Sequence, residues 1–304
     1  MHPAPAIESC PRCGREDDGR ALACAMCGEL LRRAPTAPPG REGPAPAPRT
    51  TPPATLASPA ADERAESRRA WTYLGLGLVL APVFTLTPLL GFMGWFLASL
   101  VHEMGHSALA WLCGMPSIPA VSPAGHAAAV HGEQMLFLVA MILLVVVQFL
   151  ARRLEGPRRA VAIGGFLAGY GVLAFTPVRE LAFLVAGHGG ELAFATLCLF
   201  KALDGGFTES GSERLAYSVL GWFLWAKNLF LFVGLATSAA SRADYAENGS
   251  FGLTNDLLRV AHEVLGWQLP TVAWLAVPFA LAVLPAAFWL WGQSRAARVG
   301  GQVV

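Results

Sequence analysis

Charge is what this chain has least of. Only 14% of its 304 residues are Asp, Glu, Lys or Arg, against 54% hydrophobic, whereas soluble domains carry roughly a quarter charged residues. That shortage excludes an ordinary soluble domain. The near balance of 22 basic and 21 acidic residues leaves a formal net charge of +1, which excludes the strong basic field of a nucleic-acid binder. The amino-terminal region lacks the apolar stretch of a cleavable signal peptide and is instead polar and Pro-rich. Cysteine is almost missing beyond residue 27. Cys113 and Cys198 stand singly inside apolar runs and read as small buried hydrophobes, so no disulfide framework supports the fold.

What is present is apolar and clustered. About seven segments, near 71–90, 91–113, 134–151, 160–177, 180–203, 215–238 and 269–291, have the length of about twenty residues that crosses a bilayer. They predict an all-α polytopic membrane protein with about six to seven transmembrane helices. The 114–133 stretch, with three prolines and with His126 and His131, is too polar and irregular to span, and is expected as a re-entrant or interfacial loop. Within the polar 240–268 region, NDLLRVAHEVLGWQL has helical apolar spacing and is expected to lie along the interface.

The amino terminus is a different kind of chain. Cys10-x-x-Cys13 and Cys24-x-x-Cys27 form two knuckles, and four thiolates on two tight turns make a tetrahedral structural zinc site. A ribbon this small folds only with its metal. Thiolate zinc persists in a reducing compartment, which predicts a cytosolic ribbon. Residues 34–67 are rich in Pro and Ala and read as an extended tether. The expected domains are therefore a zinc ribbon at 1–33, a linker at 34–67 and a membrane domain at 68–304.

Within the second apolar run stands His102-Glu103-Met104-Gly105-His106. Histidines four apart share one helix face, so both imidazoles can reach one ion. A glutamate between them suits the general base to a metal-bound water. Ionisable groups at membrane depth are costly and mark function. The plainer reading is a pair of core histidines hydrogen-bonded to neighbouring helices.

A catalytic zinc takes three protein ligands and keeps one position open. Two later segments offer the third. Gly187-His188-Gly189-Gly190-Glu191 sits mid-run, at a depth matching residues 102–106, with His188 and Glu191 on one face. Asp204 ends its run against a polar loop. Depth favours His188 or Glu191; the plainer reading of that pair is an internal hydrogen bond without metal. Lys227 and Asn228 interrupt the sixth run. The lysine either faces the bundle and pairs with Glu191, Asp204 or a substrate carbonyl, or snorkels to the interface.

Orientation signals conflict. The Arg152-Arg153 and Arg158-Arg159 loop belongs in the cytosol, as do Arg295 and Arg298. Counting back through three full spans puts the ribbon outside, so one of the early segments is expected not to cross fully.

A membrane-embedded HExxH followed by Leu203-Asp204-Gly205 resembles the site-2 protease family of intramembrane zinc metalloproteases. The resemblance covers roughly residues 91–206. It implies zinc held by His102, His106 and Asp204, with Glu103 activating water. This chain departs from the family upstream of Asp204, where it reads ATLCLFKALDGG without the family's Asn and Pro, and the GHGGE segment stands as the replacement. The expected activity is a zinc metalloendopeptidase acting on membrane proteins or peptides, with one catalytic and one structural Zn2+. The ribbon is expected to bind a protein partner, and the location is a cell inner or plasma membrane. A non-catalytic adaptor with a structural buried metal is the alternative, and a cation transporter is the third; an intact Glu103 argues against the second and the lack of an internal repeat against the third.

Overall fold

The computed structural model describes Glu8–Ser9, Glu16–Asp17 and residues 59–123, 126–205, 210–247 and 255–301. The chain divides into two units, Met1–Leu56 and Ala57–Val304. In the first, strands β1 (Glu8–Ser9) and β2 (Glu16–Asp17) pair antiparallel. Cys10, Cys13, Cys24 and Cys27 lie outside the described residues.

The second unit is a helical bundle. Helix α1 (Pro59–Leu80) runs into a 3-10 turn at Ala81–Thr85, and α2 (Pro88–Leu112) follows. Pro82 and Pro88 punctuate this junction, where each removes a backbone donor. The Thr87 hydroxyl accepts from the Leu90 amide at 3.2 Å, capping α2, and the two helices meet at 110°. The segments expected as two spans are thus one bent pair. Their contacts show how it runs. Trp222 donates to the Leu74 carbonyl at 2.9 Å, Phe84 packs on Phe223 at 4.8 Å, and Gly94 of α2 lies against the same ring.

At the end of α2, Gly114 adopts φ 76°, a conformation that side chains disfavour. The chain there turns into strands β3 (Ser117–Ser122) and β4 (His126–His131), paired from Ser117↔His131 to Ser122↔His126. The expected irregular loop is therefore a regular hairpin, and the bundle is not purely helical. The sequence hides it because Pro116 and Pro119 read as breakers; paired once at an edge, a strand tolerates them. The hairpin is pinned to α2: the Trp111 indole donates to the Ser117 carbonyl at 2.7 Å and the Ser117 hydroxyl donates to Ser107 at 3.1 Å.

Helices α3 (Leu136–Arg153) and α4 (Gly156–Phe175) form a peripheral antiparallel pair. They are followed by α5 (Val178–Asp204), α6 (Gly211–Thr237), α7 (Ala239–Glu247), α8 (Asp256–Arg259) with a π turn at Val260–Leu265, and α9 (Leu269–Gly301). Leu184, Leu199, Leu203, Leu224, Phe232 and Leu235 fill the core between α5 and α6. Glycines set the α2–α5 contact: a Cβ on Gly105 would overlap the Ala186 carbonyl, and one on Gly190 would lie 2.7 Å from the Gly105 Cα. Small residues of this kind let apolar helices approach where no hydrophobic effect drives them together.

Four helices, α3, α5, α6 and α9, are each long and apolar enough to cross a membrane, and the bent pair makes up to five. Helix α4 is not among them. One end of the bundle gathers charge. Arg214 donates to Glu66 at 2.7 Å and to the Ala202 and Leu203 carbonyls at 3.0 and 3.1 Å, closing orphan carbonyls at the end of α5. At the same end Asp204 accepts from Ser294 at 2.6 Å and pairs with Arg298.

Candidate metal centre

The two histidines sit one turn apart on α2, on the face turned to α5. The His106 Nδ1 donates to the Phe183 carbonyl at 2.8 Å, and its ring stacks on Phe183 at 5.2 Å. Neutral imidazole carries one proton, so this bond leaves Nε2 with its lone pair facing inward. His102 Nδ1 lies 3.7 Å from Glu191 Oε1, which likewise turns Nε2 inward. The two Nε2 atoms are 3.1 Å apart.

A third donor comes from α8. Asp256 Oδ2 lies 3.0 Å from His102 Nε2 and 2.9 Å from His106 Nε2. Two imidazole lone pairs and a carboxylate oxygen at such distances repel one another unless a metal cation or a proton sits among them. Donors at about 2.0–2.1 Å from a tetrahedral zinc stand roughly 3.3 Å apart, close to the triangle formed here. The set is three donors of the type zinc prefers, and no fourth His, Cys, Asp or Glu among the described residues joins it.

Gly187 explains how α5 comes so near. A Cβ there would overlap the His102 ring and approach His106 Nε2. No other residue leaves that space for an ion.

The Glu103 carboxylate is buried on α2 between the two ligand positions. Among the described residues it forms no hydrogen bond or ion pair.

His188 and Glu191 come to the same neighbourhood. With His102 they form a second set whose donor atoms all lie within 4.8 Å of one another. Their partners, however, are already chosen. Glu191 is fully buried. Its Oε1 accepts from Lys227 Nζ at 2.8 Å and its Oε2 from Asn228 Nδ2 at 2.5 Å. His188 Nδ1 donates to Asn228 Oδ1 at 2.9 Å. Lys227 thus faces the bundle and pairs with Glu191, one of the two arrangements its position allows.

Asp204 does not join the site. It belongs to the polar end of the bundle with Ser294 and Arg298, so the ligand role that the L-D-G resemblance implies for it is not met. His131 meets the far side of Phe183, ring to ring at 5.1 Å, and His126 is at the opposite end of its strand pairing; neither belongs to either donor set.

Asp256 is the residue that sequence reasoning missed. It begins an amphipathic segment in which an acid at the amino-terminal turn reads as an ordinary helix-dipole partner. Only its arrival beside residues about 150 positions earlier marks it as a candidate ligand. No family model, curated protein or solved structure matches the chain.

Proposed function

We propose that this chain is an intramembrane zinc metalloendopeptidase, a divergent relative of the site-2 proteases, in which His102, His106 and Asp256 hold the metal. The observation that carries the reading is a set of three donors with no fourth among the described residues, and the buried Glu103 carboxylate on the helix that supplies two of them. A structural zinc takes four protein ligands; a catalytic one takes three.

Zinc bound there would supply a Lewis acid and a water molecule of lowered pKa. The chain's residues do the remainder. Glu103 holds a carboxylate able to take a proton from water and return it to the leaving amine. Phe183 and Glu191 fix the imidazoles that face the metal. Burial in the bundle keeps bulk water away and strengthens each of these interactions. The substrate is a membrane-associated protein or peptide, whose helix has to open locally to present a carbonyl.

The membrane setting rests on apolar side chains left uncovered: Leu136, Phe137, Leu144, Phe149, Phe230 and Phe279 are all exposed, a surface that only lipid or another apolar partner covers. The bent α1–α2 pair, read as one crossing, removes the conflict in orientation. The ribbon, the Arg152–Arg159 turn, and Arg295 and Arg298 then share one side, the cytosolic one by the positive-inside rule. This reading makes six crossings with α4 included. The four cysteines of the ribbon would hold the structural zinc and serve a protein partner on that side.

The test is Glu103→Gln. It removes the base and leaves the ligands, so the variant keeps its zinc while cleavage of an unstructured substrate such as casein falls about 10²–10⁴-fold. Cleavage at the wild-type rate contradicts the mechanism.

A further inference from the structure

The buried cluster on α5 and α6 carries the next step, and it rests on the reading of His102 as a metal ligand. We propose that Glu191 is a positioning residue and not a ligand: it holds His102 by its Nδ1 edge, and Lys227, Asn228 and His188 hold Glu191.

Three observations carry this. First, both carboxylate oxygens are engaged by donors, Lys227 on Oε1 and Asn228 on Oε2, which fixes the carboxylate without an ion. Second, the proton inventory closes around those bonds. Asn228 Nδ2 also donates to the Leu224 carbonyl at 3.0 Å, and its Oδ1 receives the His188 Nδ1 proton. The amide orientation is thus fixed from both sides. Third, the charges balance in two separate groups. Lys227 neutralises Glu191, whereas Asp256 is the carboxylate of the set that would hold the metal. A buried site strongly favours such pairing, and a second carboxylate ligand would leave the ammonium uncompensated.

The geometry gives His102 a carboxylate behind its ligating ring, as a backbone carbonyl stands behind His106. Glu191 Oε1 stands 3.7 Å behind His102 Nδ1, longer than a hydrogen bond but near enough for its charge to favour the proton on Nδ1 and leave Nε2 free. Lys227 acts one step further out, by holding Glu191 Oε1 in place at 2.8 Å.

The experiment uses the full chain in detergent. Zinc retained per chain is followed against rising chelator for wild type, Glu191→Gln, Lys227→Met and Lys227→Arg, with His106→Ala marking complete loss of the membrane metal. Cobalt-loaded samples report ligand geometry through their d–d bands, and thermal unfolding checks that each variant is folded. Glu191→Gln is expected to weaken binding about 10–100-fold, the cost of losing a partner behind a ligand, and to shift the cobalt bands. Lys227→Met is expected to weaken it in the same direction, and Lys227→Arg to restore wild-type affinity. A Glu191→Gln chain that binds as wild type, or one as empty as His106→Ala, overturns the proposal. So does a Lys227→Met chain that binds zinc more tightly, since removing a competing ammonium helps only a direct ligand. If His106→Ala itself keeps full zinc, the metal-centre reading fails and this proposal falls with it.

Discussion

Gly187 shows how much a single missing side chain decides. The two imidazoles and Asp256 converge on a space that a methyl group on α5 would enter. Gly187→Ala is therefore expected to push His102 and His106 aside and strip the membrane zinc, with little loss of helix content, because alanine favours helix over glycine by about 1 kcal/mol. Zinc analysis beside circular dichroism separates the two effects; a Gly187→Ala chain with full zinc would mean that the metal lies elsewhere. His102, Glu103, His106 and the approach of His188 and Glu191 were legible in the sequence, because charged groups inside apolar runs need partners there. Asp256 was not legible. A carboxylate opening an amphipathic turn has an ordinary local explanation, and nothing local reports the distant helix it meets.

Among the elements, the junctions carry the information that periodicity lacks. Hydropathy alone made 71–90 and 91–113 look like two spans, since each run is apolar and long enough. Pro82 and Pro88 mark the break, and the 110° angle between the helices shows how sharply the pair bends there. The β3–β4 hairpin was hidden in the same way, its pairing being invisible one strand at a time. Arg214 provides the test at this scale. Its guanidinium serves Glu66 and two carbonyls at the end of α5, so Arg214→Ala leaves buried acceptors unpaired. The expected cost is about 1–3 kcal/mol, read as a lower melting temperature with zinc content unchanged, since the metal centre lies toward the other end of α5. An unaltered melting temperature would show that water replaces the guanidinium at no cost.

For the whole molecule, the broken α1–α2 path sets the sidedness. Cysteines introduced at Arg152 and at Arg295 should react with an impermeant maleimide only from the cytosolic face, and one at Gln268 only from the opposite face. Labelling of the first two from opposite faces would mean an odd number of crossings between them, with α4 (Gly156–Phe175) not among them. The ribbon and the membrane centre are separate metal sites on this account, so removing residues 1–56, the first unit, should lower the zinc content by one ion and leave the other bound.

The central claim is that α8 and not the end of α5 completes the metal centre. Zinc per full-length chain, measured for Asp256→Ala and Asp204→Ala side by side, tests it most directly. The account predicts one zinc per chain for Asp256→Ala and two for Asp204→Ala, by the ligand counts of the two sites. Two ions retained in Asp256→Ala, or one lost in Asp204→Ala, would contradict it.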